Sequence, residues 1–128
     1  MKKIGILIAV LILVFICVAE SNVVDSTVSN VQQICNDLYS QTKNLENINT
    51  TQIINQTQRL NNYWAQQEHL LCFFINYKDM SEMSNEMVRM ESYAKDNVRD
   101  EFMASLRLVL YYCETFDHIT GFSLQNIF

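Results

Sequence analysis

Met80, Met83, Met87 and Met90 recur at helical spacing, so their four thioethers share one face of a helix. Soft sulfur of this kind is ligand material for Cu(I). The same spacing is also what a core stripe requires, and methionine is an adaptable core filler. No His or Cys falls within the stripe to complete a copper site, so core packing is the better reading. The second group is Glu68-His69-Leu70-Leu71-Cys72. His69 and Cys72, three apart, share a helix face and form the weak candidate pair for a metal. Two further ligands would have to come from elsewhere, and His118 is the only other histidine. Di-iron bundles use Glu-x-x-His on two helices and covalent haem uses Cys-x-x-Cys-His; neither spacing occurs. No metal and no cofactor is expected, although a small ligand- or metal-binding module built on His69, Cys72 and the Met80–Met90 stripe is the alternative to weigh.

Catalysis finds no complete set either. Cys35, Cys72 and Cys113 fall one in each of three helical segments, and outside the cytoplasm one pair could form a disulfide that the sequence does not choose. A Cys–His nucleophile lacks a third group to orient it. Glu82, Glu86, Glu91, Asp96, Asp100 and Glu101 alternate with Arg89, Lys95 and Arg99 opposite the apolar stripe, which is the pattern of a solvated helix face. The chain is therefore read as not an enzyme. Trp64 and the apolar tail Phe122, Leu124, Ile127 and Phe128 remain as candidate contacts to a partner, against the plainer reading of Trp64 as a core anchor and the tail as a lid.

The elements that hold these residues begin with an apolar run. Residues 4–19, IGILIAVLILVFICVA, carry no charge and follow Lys2 and Lys3. As a helix the run spans about 24 Å, somewhat under the roughly 30 Å hydrocarbon core. Lysine snorkelling and a thinned bilayer close that gap. The next basic residue is Lys43, whereas Glu20 and Asp25 follow the run at once. The positive-inside rule then puts residues 1–3 in the cytoplasm, a single span at 4–19, and residues 20–128 outside. Cys17-Val18-Ala19 also resembles a signal-peptide cleavage site, and a cleaved chain would be secreted. Val14-Phe15-Ile16 are too bulky to precede a lipidated cysteine.

Beyond residue 19 lie all 14 acidic residues and seven of the nine basic ones, a net charge of −7. That excludes nucleic acid as a partner, which calls for a basic stripe. With no Pro and two Gly, sandwiches and barrels lack their turn residues. The apolar pattern is helical nearly throughout. Val24, Val28, Val31, Cys35, Leu38 and Leu45 make a first stripe, and only a few residues at 20–23 can serve as a linker before it. Asn49 or Thr50 caps a second segment with Ile53, Thr57, Leu60, Trp64, Leu71 and Phe74. A possible capping box, Asp79-Met80-Ser81-Glu82, opens a third ending at Ala94, separate from the second or continuous with it. Val98, Phe102, Leu106, Val109, Cys113 and Phe116 make a fourth, with Gly121 placed as a terminator and a tail that is apolar but not helical in period. Such stripes bury on one another, so the expected fold is all-α, an N-terminal transmembrane or signal helix followed by an antiparallel bundle of three or four helices.

The lysine-led anchor, Trp64 with the apolar run Leu70–Ile75 behind it, the acidic helices and the ending Phe122-Ser123-Leu124-Gln125-Asn126-Ile127-Phe128 resemble an uncharacterised family of small membrane-anchored proteins of clostridia and related Firmicutes. It is a domain of unknown function, and the final Asn-Ile-Phe is its most specific mark. Where the family carries a His-Glu element after the apolar run, this chain has Tyr77-Lys78-Asp79. The resemblance implies anchoring and a helical fold and supplies no activity. Together these readings point to a non-enzymatic protein held in the membrane lipid through residues 4–19, with its bundle outside and an envelope protein as partner.

Overall fold

A computed structural model describes residues 1–127, and side chains within 1–19 and 22–116. It holds four helices, α1 (Lys2–Thr42), α2 (Thr51–Leu71), α3 (Tyr77–Lys95) and α4 (Arg99–Ile127), and no strand among the described residues. Each helix packs on its chain neighbour, and α4 closes back on α1. The pairings run antiparallel: Asn30 meets Tyr63 and Gln41 meets Gln52 across α1 and α2, while Trp64 meets Ser84 and Gln58 meets Glu91 across α2 and α3. The bundle is thus up-down-up-down, as short connections between amphipathic helices require.

α1 differs from the expectation of a short linker at 20–23. It runs unbroken for 41 residues, about 62 Å of helix. Glu20-Ser21-Asn22-Val23 contains no Gly or Pro, so nothing in those residues stops the helix. Its first half is apolar and packs on nothing: Ile4, Leu7, Leu11, Leu13 and Phe15 are all exposed, Phe15 at 74%. Its second half carries the stripe, with Val24, Val28, Val31, Cys35 and Leu38 buried. The stripe ends at Thr42, not at Leu45. Thr42 keeps the helical spacing, and its hydroxyl donates to the Leu38 carbonyl at 2.7 Å, so the buried oxygen is satisfied. The helix ends there, and Leu45 falls in the turn and is exposed.

The connections are built from short polar side chains. Thr50 caps α2, its Oγ1 accepting from the Ile53 N–H at 3.2 Å. α2 and α3 are separate helices. α3 begins at Tyr77, ahead of the capping box expected at Asp79, because Asn76 Oδ1 already accepts from the Lys78 N–H at 2.8 Å. Asp79 then lies in the first turn, where a carboxylate favours the helix dipole. α3 ends with Asn97 at φ +56°, bonded by Val98 N–H to the Tyr93 carbonyl and Asn97 N–H to the Ala94 carbonyl, a Schellman arrangement. Gly121 does not terminate α4, which is drawn through it to Ile127. Glycine inside a helix costs about 1 kcal/mol relative to alanine, a loss the rest of a 29-residue helix outweighs.

The core runs between the four stripes. Trp64, Phe102 and Phe116 are its largest members, with Met80, Met83, Met87 and Met90 beside them, all at 2% exposure or less. Ile48, in the α1–α2 connection, is also fully buried, which helical periodicity outside a helix does not reveal. Val98 and Phe74 are half-buried at the two ends of the stripes.

Candidate functional site

His69 and Cys72 stand at the C-terminal end of α2, both exposed, and the Cys72 Sγ donates to the His69 carbonyl at 2.8 Å. Their side chains share a helix end, yet no third His, Cys, Asp or Glu joins them among the described residues. The methionine stripe lies elsewhere, inside the core, with each residue exposed by 1% or less. Its thioethers are occupied in packing, and the two halves of the candidate metal set do not meet.

Cys35 and Cys113 face the core from α1 and α4 and are free. Burial pushes both thiols up, and Cys113 reaches about 12, so neither supplies a thiolate near neutral pH. Cys72 is exposed and Cys17 lies in the apolar run.

Trp64 is not a surface residue. It is 2% exposed, and its indole N–H donates to Ser84 Oγ at 2.7 Å, which in turn donates to Glu68 Oε1 at 3.1 Å. This chain ties α2 to α3 and leaves no indole surface for a partner, so Trp64 serves the core. Gln58 and Asn61 both donate to the Glu91 carboxylate, which also meets Lys95 at 3.1 Å. The Gln58 hydrogen bond and then that of Lys95 hold this carboxyl below its ordinary range. Across α3 and α4, Tyr112 donates to Glu82 at 2.7 Å, and that bond raises the phenol to about 12. These networks have a structural reading: they fix helix register. Of the other candidate contacts, Phe128 lies outside the described residues, and so do the side chains of Phe122, Leu124 and Ile127.

Among the described residues, two surfaces bear on binding. One is an open groove between α1 and α2, lined by Asn30, Gln33, Ile34, Asp37, Arg59 and Tyr63, which adjoins an α2 face carrying Asn55, Asn62 and Gln66. Amide side chains offer donors and acceptors together, so the groove can bind polar backbone. Asn30 Nδ2 already donates to the Tyr63 hydroxyl there at 2.8 Å. Sequence reading passed over these residues, because polar positions flanking a stripe look like ordinary solvated surface; the density of Asn and Gln on both helices was the available signal. The second surface is the α2–α3 turn, where Leu70, Phe73 and Tyr77 are exposed.

A family model described as a domain of unknown function, DUF4363, matches residues 23–127. The matched stretch starts at the head of the α1 core stripe and leaves out the apolar run. No curated protein and no solved structure matches the chain.

Proposed function

We propose, for a chain that belongs to the DUF4363 family, a non-enzymatic role as a membrane-anchored bundle that works outside the cytoplasm by binding another envelope protein. The observation that carries this reading is the composition of α1. One helix passes without a break from an apolar, unpacked surface at residues 4–18 to a buried stripe from Val24 to Leu38. An apolar helix surface of that length is stable in lipid and costly in water. Lys2 and Lys3 before the run and the acidic residues after it favour the N-terminus inside and the bundle outside. The clostridial, Firmicute setting and the terminal Asn126-Ile127-Phe128 belong to the same reading.

In this reading the partner lies against α1 and α2, over the Asn30–Tyr63 groove and the adjoining α2 face that carries Asn62. The test is a photo-crosslinking amino acid put in turn at Asn62 and at Glu101, with the full chain expressed in its own cell envelope. A single near-stoichiometric adduct with an envelope protein from Asn62, absent from Glu101, is the expected result. Adducts scattered over many proteins, or none from Asn62, would overturn the partner reading. Carbonate extraction of the same membranes checks the anchor separately: release of the chain into the supernatant would refute it.

A further inference from the structure

We propose that the α2–α3 turn, with Phe73 and Tyr77 at its tip, is a second membrane contact that seats in the interfacial layer of the phospholipid bilayer beside the α1 span. The inference rests on the anchor reading above and adds to it how the bundle is held against the membrane.

The register of the bundle sets the turn at this level. Asn30 pairs with Tyr63 and Gln41 with Gln52, so steps down α1 and along α2 match one for one. Carried on, that register sets Leu70 opposite Val23 and sets Phe73 at the outer end of the apolar run. Leu70 indeed lines one cleft with Asn22, Val23, Ser26 and Thr27. A span ending near residue 19 thus brings the turn into the headgroup region.

The turn is built to present apolar side chains there. Phe73 is 78% exposed and Tyr77 76%. Hydrogen bonds from the Phe74 and Ile75 N–H groups to the Leu71 carbonyl, both at 2.9 Å, close the turn tightly. Phe74 and Ile75 pack on the core, and that fixed geometry keeps Phe73 outside it. From Leu70 to Tyr77 the chain carries no charge, and Lys78 follows.

The span itself lacks what the turn supplies. Between Phe15 and Tyr39 α1 has no aromatic residue, and between Lys3 and Lys43 no basic one. Transmembrane helices are ordinarily fixed at each interface by Trp, Tyr, Lys or Arg. At the outer end of α1 these are missing, and Tyr77 and Lys78 stand near that height at the start of α3, the helix across the bundle from α1. A phenylalanine and a tyrosine on a rigid turn are suited to the interfacial layer, where the ring is sheltered and a hydroxyl stays wet.

The test uses the full chain with Cys17→Ser, in which Cys72 is the exposed thiol and Cys35 and Cys113 are buried. Cys72 is labelled with an environment-sensitive fluorophore, and the protein is reconstituted into vesicles of phosphatidylcholine and phosphatidylglycerol. A doxyl quencher near the headgroup end of the acyl chain reports depth, and vesicle flotation reports anchoring. The expected result is that the Cys72 label loses most of its emission to the lipid quencher. A control label at Leu45→Cys (with Cys72→Ser), at the opposite end of the bundle, keeps its emission. Phe73→Ser combined with Tyr77→Ser then restores the Cys72 signal without altering flotation or helix content. A Cys72 label that iodide in the water reaches freely, on a chain that floats, overturns the turn contact and leaves the anchor standing. A label shielded from iodide and untouched by the lipid quencher means that protein covers the turn, which also overturns it. A chain that does not float removes the anchor reading, and the turn contact with it.

Discussion

Asn97 joins the two connections at the end of the bundle away from the apolar run, and its replacement tests whether that joint is structural. Its φ of +56° lies in the left-handed region, and its Oδ1 accepts from the Ile48 N–H at 2.8 Å. Ile48 is fully buried and lies outside any helix, and this bond ties its N–H to the second connection while its carbonyl accepts from the Thr50 N–H. Asn97→Ala puts a Cβ-bearing residue into a conformation that costs roughly 1–2 kcal/mol outside Gly, Asn and Asp. It also strands a partly buried N–H, at roughly 1–3 kcal/mol. The expected loss is about 2–5 kcal/mol. Asn97→Gly strands the same N–H but keeps the backbone unstrained, so with roughly 0.5–1 kcal/mol from the more flexible unfolded chain its loss should be about 1.5–4 kcal/mol, below that of alanine. Urea titration of the full chain in mild detergent reads both. Trp64, the single tryptophan and a buried one, reports bundle unfolding by its emission. Wild type, glycine, alanine is the expected order of falling midpoint. Equal midpoints for glycine and alanine would refute the backbone argument, and an unchanged alanine variant would refute the joint itself.

Other consequences follow from burial and charge. In the native chain a maleimide should modify Cys72 readily and leave Cys35 and Cys113 untouched until urea unfolds the bundle; mass spectrometry of time points checks this, and fast labelling of Cys113 would refute its placement. Met87→Ala should cost about 2–5 kcal/mol, and Met87→Leu under about 1.5 kcal/mol, because the site is fully buried and volume is what it needs; a stability equal for both variants would mean the site collapses freely. For Glu91 the folded carboxyl titrates below its unfolded value of 4.5, so its stabilisation is present above that pH and is lost as the pH falls through the folded value. Urea midpoints of wild type and Glu91→Gln should therefore differ at pH 7 and converge under acid; a gap that widens under acid would contradict the hydrogen-bond assignment.

What could be read from the residues follows periodicity. Inside helices each stripe position reports its own burial, and Val24 to Leu38, Ile53 to Trp64, Met80 to Ala94 and Phe102 to Phe116 all lie in the core as spaced. The misses occur where periodicity gives out. Thr42 continues a stripe with a polar residue whose hydroxyl bonds its own helix, so an apolar pattern skips it for Leu45. Ile48 is tied by its N–H to Asn97 in the α3–α4 connection, a tertiary event with no local trace. The α3 start moved from Asp79 to Tyr77 because two good caps compete and the Asn76 side chain reaches its N–H first. Of the candidate site residues, His69 and Cys72 share a helix end as their spacing implies, while Trp64, for which a core anchor is the plainer reading and a partner contact the other, is completed in the core by Ser84 and Glu68. The Asn30–Tyr63 groove needed two helices brought together, which no single period encodes.

The unbroken α1 also bears on what kind of partner contact the proposed anchoring permits. A flexible linker would let the bundle sample all orientations, whereas a helix of about 62 Å with no Gly or Pro after Gly5 transmits direction. Its second half is held by α2 and α4 along one stripe, so tilting the span must tilt the bundle with it. On the proposed reading, the α1–α2 groove then faces along the membrane at a fixed height, and a partner meets it laterally, at a cost in orientation that the anchor has already met. Inserting Gly-Gly-Ser between Ser21 and Asn22 separates the two halves ahead of the buried stripe that starts at Val24. If direction matters, the crosslink from Asn62 should fall severalfold while membrane retention and the Trp64 unfolding midpoint hold. An undiminished crosslink would mean that the groove finds its partner by diffusion alone, and α1 would then be a tether and nothing more.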